Sequence, residues 1–213
     1  MSALSAIFRR ELTLRLRGGG WAASAALFVV AAGMAPLSFG REAELLAAAA
    51  PAILWLTASL ALLIGLDGLF EEDLRSGGLL LYRLSDVPLS AIALIKMIAA
   101  WATACLPLVA VAPLLLFAFG VESIVGGTIG FLVGTPALAF ITGAIGAVSA
   151  GLRRGTALLV FLCLPLFAPV LVFGPASAGE ASGVPLLMLG AFSLQGLAVC
   201  PFIAAAALRA NMA

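Results

Sequence analysis

The sequence predicts an all-α integral membrane protein, with six transmembrane helices, an amphipathic interfacial helix before them and both termini cytoplasmic. Three observations carry this. Six apolar stretches fill most of the 213 residues, each near or above the ~20 residues a helix needs to cross the hydrocarbon core. The composition is 64% hydrophobic and 10% charged with a net charge of +1, which leaves no soluble domain of useful size. Basic residues are retained on the cytoplasmic side, and Arg9, Arg10, Arg15, Arg17, Arg75, Arg83, Lys96, Arg153, Arg154 and Arg209 fall in segments that six crossings put on one side, against Arg41 alone on the other.

Residues 1–20 read as the interfacial helix. Leu4, Ile7, Phe8 and Leu12 recur at helical spacing, Glu11 and Arg15 are four apart for an ion pair, and the arginines suit anionic headgroups. Four arginines up to Arg17 and a following apolar segment long enough to span argue against a cleaved signal peptide; the simpler alternative is a positive flank that only orients the first span. Gly18, Gly19 and Gly20 break this helix. The spans then run from Trp21 to Gly40, Leu45 to Leu66, Ala91 to Gly120, Ile124 to Leu152, Thr156 to Gly174 and Val184 to Leu208. No linker or repeat divides residues 1–213, so a single membrane domain is expected.

Residues 67–89 form the longest loop, on the cytoplasmic side between spans two and three. Leu66, Leu69, Phe70 and Leu74 make an apolar stripe at helical spacing, with Asp67, Glu71, Glu72 and Asp73 around it, so a short amphipathic helix is expected at the membrane edge. An aromatic and three leucines are expensive to leave in water, which argues for a docked partner or the lipid interface over a solvated acidic loop or a divalent-cation site. Gly77 and Gly78 end this helix, and residues 79–84 could form a second short segment.

In the fourth span Gly126, Gly130 and Gly134 recur at intervals of four, a small-residue face that lets another backbone approach closely. The spacing leaves open whether that helix belongs to this chain or to a second copy. Pro136 is expected to kink this span, and Pro107, Pro113, Pro165 and Pro169 the third and fifth.

Absences are as informative. The chain has no histidine, which excludes haem held by paired imidazoles and an HExxH zinc site. Its single lysine, Lys96, follows Ile95 and not the glycine of a phosphate-binding loop, so no ATPase site of its own is expected. Lys96 is two turns into its span and is expected to snorkel to the cytoplasmic interface. The deep polar groups, among them Thr57, Ser59, Thr103, Thr135, Thr142, Ser193 and Gln195, are neutral, which disfavours ion-coupled transport. Cys105, Cys163 and Cys200 lie in apolar spans without a CxxC pairing and read as small buried hydrophobes. With no metal ligands or axial haem ligands brought together, the chain is expected to bind no cofactor.

Taken in order, a set of short segments resembles the haem exporter protein B family, the permease of the cytochrome c maturation system. They are Phe8 to Leu12, Pro36 to Ser38, Ala50 to Trp55, Leu69 to Leu74, Pro88 and Leu89, Leu106 to Leu108, Gly134 to Pro136, Gly151 to Gly155 and Leu164 to Leu166. The resemblance implies a bacterial inner-membrane subunit of an ABC-type complex. Its expected partners are a separate cytoplasmic ATPase that holds ATP and Mg, haem-handling C and D membrane subunits, a periplasmic haem chaperone, a second copy of the chain and membrane lipids, with no nucleic acid. Phe70, Glu71, Glu72, Asp73 and Leu74 would meet the ATPase, Phe70 and Leu74 as anchors, with Arg9, Arg10, Arg153 and Arg154 completing the cytoplasmic face. Where the family continues with Asp-Gly-Ser-Leu-Glu-Gln, this chain has Ser76, Gly77, Gly78 and a leucine run, so only the Phe70 to Leu74 half carries over. Two other readings are a non-transporting scaffold of that complex and an ABC exporter permease for a lipid or drug.

Overall fold

The computed structural model describes residues 3–40, 42–66, 68–75, 77–78, 87–150, 155–179 and 183–211. The described elements are helical: α1 (Ala3–Gly18), α2 (Gly20–Gly33), α3 (Ala35–Phe39), α4 (Ala43–Gly65), α5 (Glu71–Arg75), α6 (Leu89–Ala118), α7 (Ile124–Ser149), α8 (Gly155–Ala176) and α9 (Gly183–Asn211). Six membrane-crossing segments result, Gly20–Phe39, Ala43–Gly65, Leu89–Ala118, Ile124–Ser149, Leu158–Ala176 and Gly183–Asn211. Each is long and apolar enough to span, and a helix satisfies its own backbone groups where no water can. The chain is a multi-pass membrane protein.

The first span is not continuous. Pro36 cannot continue the ladder of α2 and restricts the residue before it, so α2 and α3 part at Met34. The left-handed Gly40, with φ of 60°, then ends α3.

α7 is the central helix, packed against α9, α6, α8 and α4, while α2 lies on α4 and α6, and α1 lies on α6 and α2. Its glycines meet helices of this same chain. A Cβ on Gly130 would run into Ser177, just past the end of α8, and one on Gly126 would come within 2.5 Å of the Ser177 carbonyl oxygen. One on Gly134 would lie 2.7 Å from the Trp55 ring on α4. The alternative of a second copy on this glycine face is thereby settled in favour of internal packing. Trp55 is 1% exposed and stacks on Phe131, with ring centroids 4.4 Å apart and planes 9° from parallel. Gly174 of α8 closes on the other side of that indole, where an added Cβ would stand 2.5 Å from Trp55 Cδ2.

Pro136 lies within α7 and lacks the amide that would bond the carbonyl four residues back. One step on, Ser193 of α9 stands between the two groups of the next rung, donating to Val133 O at 2.5 Å and accepting from Ala137 N at 3.2 Å. A hydroxyl inserted into the ladder is a recognised cause of a bend, and here it joins α9 to α7. Ser193→Ala is expected to lower stability by about 1 kcal/mol, within the range of interhelical hydrogen bonds in membranes, read as a shift of the denaturation midpoint in detergent. Pro107, Pro113, Pro165 and Pro169 lie inside α6 and α8, as do Pro51 in α4 and Pro201 in α9.

Most neutral polar groups deep in the spans are turned onto their own helices. Thr57, Ser59, Thr103 and Thr142 each donate to the carbonyl four residues earlier, at 2.7–2.9 Å. Trp101 Nε1 donates to Thr135 Oγ1 at 3.2 Å, tying α6 to α7. The three cysteines are free and buried. Large apolar side chains such as Leu37, Phe117, Phe161 and Leu187 are exposed by 73–81% on the outer surface, where lipid replaces water as their solvent. At the end of the bundle that holds the chain's C-terminal helix end, Asn211 Nδ2 donates to Ala147 O and Ala150 O, capping the orphan carbonyls of α7.

Candidate functional site

The described charges of the sequence concentrate where α1, α5 and the beginning of α6 meet. α5 is one turn and a half of helix, Glu71–Arg75, entered through Gly68 at φ 72°. Its apolar stripe is turned inward: Leu66, Leu69 and Phe70 are 0%, 4% and 1% exposed and belong to the main core. This corrects the expectation that the stripe faces a partner or the lipid interface. The bundle offers these side chains a dry surface already at hand, so their apolar area is removed from water within the chain.

Lys96 is the second correction. It does not snorkel outward; it is 3% exposed and its ammonium lies 2.6 Å from Glu11 Oε1 of α1 and 2.7 Å from Asp73 Oδ2 of α5. Glu11 accepts a hydrogen bond, whereas the Asp73 contact is off the hydrogen-bonding direction and is ionic. The Phe70 ring sits beneath the same nitrogen, 5.9 Å from its centroid, a cation–π distance. Glu11 and Asp73 are themselves 4% and 5% exposed. A buried ammonium without carboxylates would carry a large desolvation penalty; here two carboxylates share it, and three elements are held to one atom.

Arg15 extends the cluster. Its Nε is 4.0 Å from Glu11 Oε2, too far for a hydrogen bond, and this buried nitrogen has no hydrogen-bond partner. Burial pulls its pKa down from the usual arginine value, opposed by Glu11 and Asp73. Arg10 approaches Glu11 at 3.6 Å from a side chain that is 56% exposed. Beside these groups is a cavity of about 410 Å³ that α1, α2, α4, α5 and α6 all line.

The sequence-predicted residues divide accordingly. Phe70, expected as an anchor on the ATPase, and Asp73, expected beside it, are both buried and engaged within the chain. Glu71 and Leu74 are half-buried, and Arg9 and Arg10 are exposed. The side chain of Glu72, the pair Arg153 and Arg154, and the segment 79–84 lie outside the described residues. Gly126, Gly130, Gly134 and Pro136 gather around α7, while Pro165 and Pro169 lie on α8. Sequence reasoning missed the Lys96 pairings because Glu11 is 85 positions away and no local period links them. The one available signal was a lone lysine two turns inside an apolar span, which must either snorkel to the interface or find a partner. Among the described residues no group of His, Cys, Asp and Glu is arranged to hold a metal ion.

Comparison with known proteins extends over nearly the whole chain. The family described as CcmB protein matches residues 2–211. The Heme exporter protein B of Bradyrhizobium diazoefficiens is 42% identical over 219 residues, covering 98% of each chain. That of Rhodobacter capsulatus is 38% identical over 217 residues, covering 98% of this chain and all of the relative. The Heme exporter protein B of Escherichia coli K12 is 37% identical over 223 residues, covering 97% of each. Matched by the family model over residues 2–211 and by these relatives over 97–98% of its residues, the chain belongs to the CcmB protein family.

Proposed function

We propose that this chain is the permease subunit of an ABC-type complex for cytochrome c biogenesis in a bacterial inner membrane, coupling ATP hydrolysis by a separate subunit to haem delivery or to release of a haem-loaded periplasmic chaperone. The observation that carries this reading is the end-to-end similarity to proteins named Heme exporter protein B. The one-sided distribution of basic residues supports cytoplasmic termini. In this reading α5 is the coupling helix. Glu71, Glu72 and Leu74 are the residues that would meet the ATPase, and Arg9, Arg10, Arg153 and Arg154 would complete the cytoplasmic face. The chain itself has no ATPase site and holds no cofactor, and haem resides on the C- and D-like subunits and the chaperone. It works as a homodimer.

The buried Lys96 cluster gives this reading a mechanical content. A push on α5 is carried by Asp73 to Lys96 on α6 and by Lys96 to Glu11 on α1, so α5, α1 and α6 move as one body. A scaffold that remodels its partners without moving a substrate through itself is the second reading. The turning of Thr57, Ser59, Thr103 and Thr142 onto their own helices favours it.

The test uses the full chain and its ATPase subunit. The chain alone is expected to hydrolyse no ATP, and a Glu71→Lys, Leu74→Asp double variant to weaken capture of the ATPase by about 2 kcal/mol, as central interface residues do. Turnover by a preparation shown free of the ATPase, or capture unchanged in a double variant that retains its native denaturation midpoint, would overturn the reading.

A further inference from the structure

We propose that Asp73 has two seats: Lys96 of α6, which it occupies here, and Arg15 of α1, which it takes when α5 swings across the cavity of about 410 Å³ that both residues line. The buried charges of the cluster, Arg15 and Lys96 against Glu11 and Asp73, balance; their hydrogen bonds do not. Among the described residues two buried side-chain atoms lack a hydrogen-bond partner, Arg15 Nε and Asp73 Oδ2. One is a donor and the other an acceptor, on groups of opposite charge. Buried polar atoms left in this state are uncommon and costly, and each of these two is what the other lacks. Burial lowers the pKa of Arg15 while Glu11 and Asp73 oppose it, so Asp73 is already within electrostatic reach.

Asp73, and not Glu11, is the mobile member. Glu11 accepts a hydrogen bond from Lys96 at 2.6 Å, and its approach to Arg15 on the same helix stops at 4.0 Å. Asp73 meets Lys96 at 2.7 Å but off the hydrogen-bonding direction, so on leaving it gives up an ionic contact and no hydrogen bond. At Arg15 it gains a charge-assisted hydrogen bond from a guanidinium. The two seats exchange one charge contact for another and lie close in energy, which is what a two-position element requires.

The chain around Asp73 is built to turn. α5 has five residues and is flanked by Gly68 and Gly77, both at φ 72°, and a Cβ on Gly77 would meet nothing within 4 Å. A few residues at the ends of an element are enough to absorb the backbone change of a hinge. Phe70, 1% exposed in the core just before α5, supplies the pivot. Lys96 keeps Glu11 in both positions, so α1 and α6 stay joined while α5 changes its seat. In the seat occupied here a push on α5 reaches α6 first; in the other it reaches α1 first. The exchange is a property of this chain and stands whether or not α5 meets an ATPase.

The test is nuclear magnetic resonance of the full chain alone, labelled with ¹⁵N-arginine in phospholipid nanodiscs, which reads the Arg15 Nε–H itself; the signal is assigned by its loss in Arg15→Lys. Exchange experiments sensitive to μs–ms motion are expected to show a major signal without a hydrogen-bond partner and a minor, carboxylate-bonded one populated at about 1–10%. The exposed Arg209 is expected to show no exchange. Asp73→Asn is expected to lower the minor population about tenfold, the worth of one charge-assisted hydrogen bond. Asp73→Glu, which keeps the charge and lengthens the reach, is expected to raise it, and decides the matter should Asp73→Asn fail to fold. A single unexchanging Arg15 signal, such as a fixed bridging water would give, would overturn the proposal. So would a minor state that the folded Asp73 variants leave unchanged.

Discussion

Lys96→Met is expected to cost about 3–5 kcal/mol of stability, the usual loss when one member of a buried ion pair is deleted, and to abolish cytochrome c maturation in cells that depend on this chain. The reason is what remains. Glu11 and Asp73, both within 2.7 Å of the same nitrogen, would be left as two buried carboxylates of like charge. The measurement is a detergent denaturation midpoint together with the yield of holo-cytochrome c. A triple variant, Lys96→Met with Glu11→Gln and Asp73→Asn, removes the orphaned charges and is expected to regain most of the stability, since neutral replacement of whole buried ion clusters is often tolerated. If that triple variant also regained full maturation, the cluster would be structural only and the mechanical coupling through it would be refuted.

The second large effect is expected at the indole held between α4, α7 and α8. Trp55→Ala removes a 1%-exposed side chain stacked on Phe131, and should cost about 3–5 kcal/mol, as large-to-small changes in packed cores do. Gly174→Val approaches the same contact from the opposite direction. Its Cβ would begin 2.5 Å from the ring, so the helices must separate, at a cost of about 1–3 kcal/mol or more. The two sites are in contact, so their effects should not add. In a Trp55→Leu background the Gly174→Val penalty is expected to fall by more than half. Equal penalties in both backgrounds would mean that the indole does not set the α4–α8 distance.

The spans were legible because hydrocarbon imposes a single strong rule on length and composition, and the expected segments agree with the described helices to within a few residues, apart from the break at Met34. The glycine ladder of α7 was legible as a packing face, but its partners were not, because a spacing names a surface and never its complement. Gly174, the other wall of the Trp55 slot, carries no periodic signal at all. The charged cluster failed for a different reason. Local spacing paired Glu11 with Arg15, four residues on, yet that contact is the long one at 4.0 Å, while the short one is to Lys96 across the bundle. Electrostatic partners in a membrane protein are chosen by where water is excluded, which only the assembled fold determines. Phe70 shows the same lesson in apolar form: its stripe was recognised correctly as needing cover, and the cover is the chain itself.

The cluster around Lys96 also constrains how the protein is made. Glu11 is synthesised 85 residues before Lys96, so while α2 and α4 are being inserted it has only the looser contacts to Arg10 and Arg15 of its own helix, and α1 is not yet tied to the bundle by its short ion pair. The arrival of α6 brings in a lysine whose insertion costs about 2.5–3.5 kcal/mol near the centre of a lone span and less toward its ends, and two waiting carboxylates lower that cost at the moment it arises. A nascent chain arrested before Lys96 should therefore leave α1 accessible to protease, and one arrested well beyond it should not.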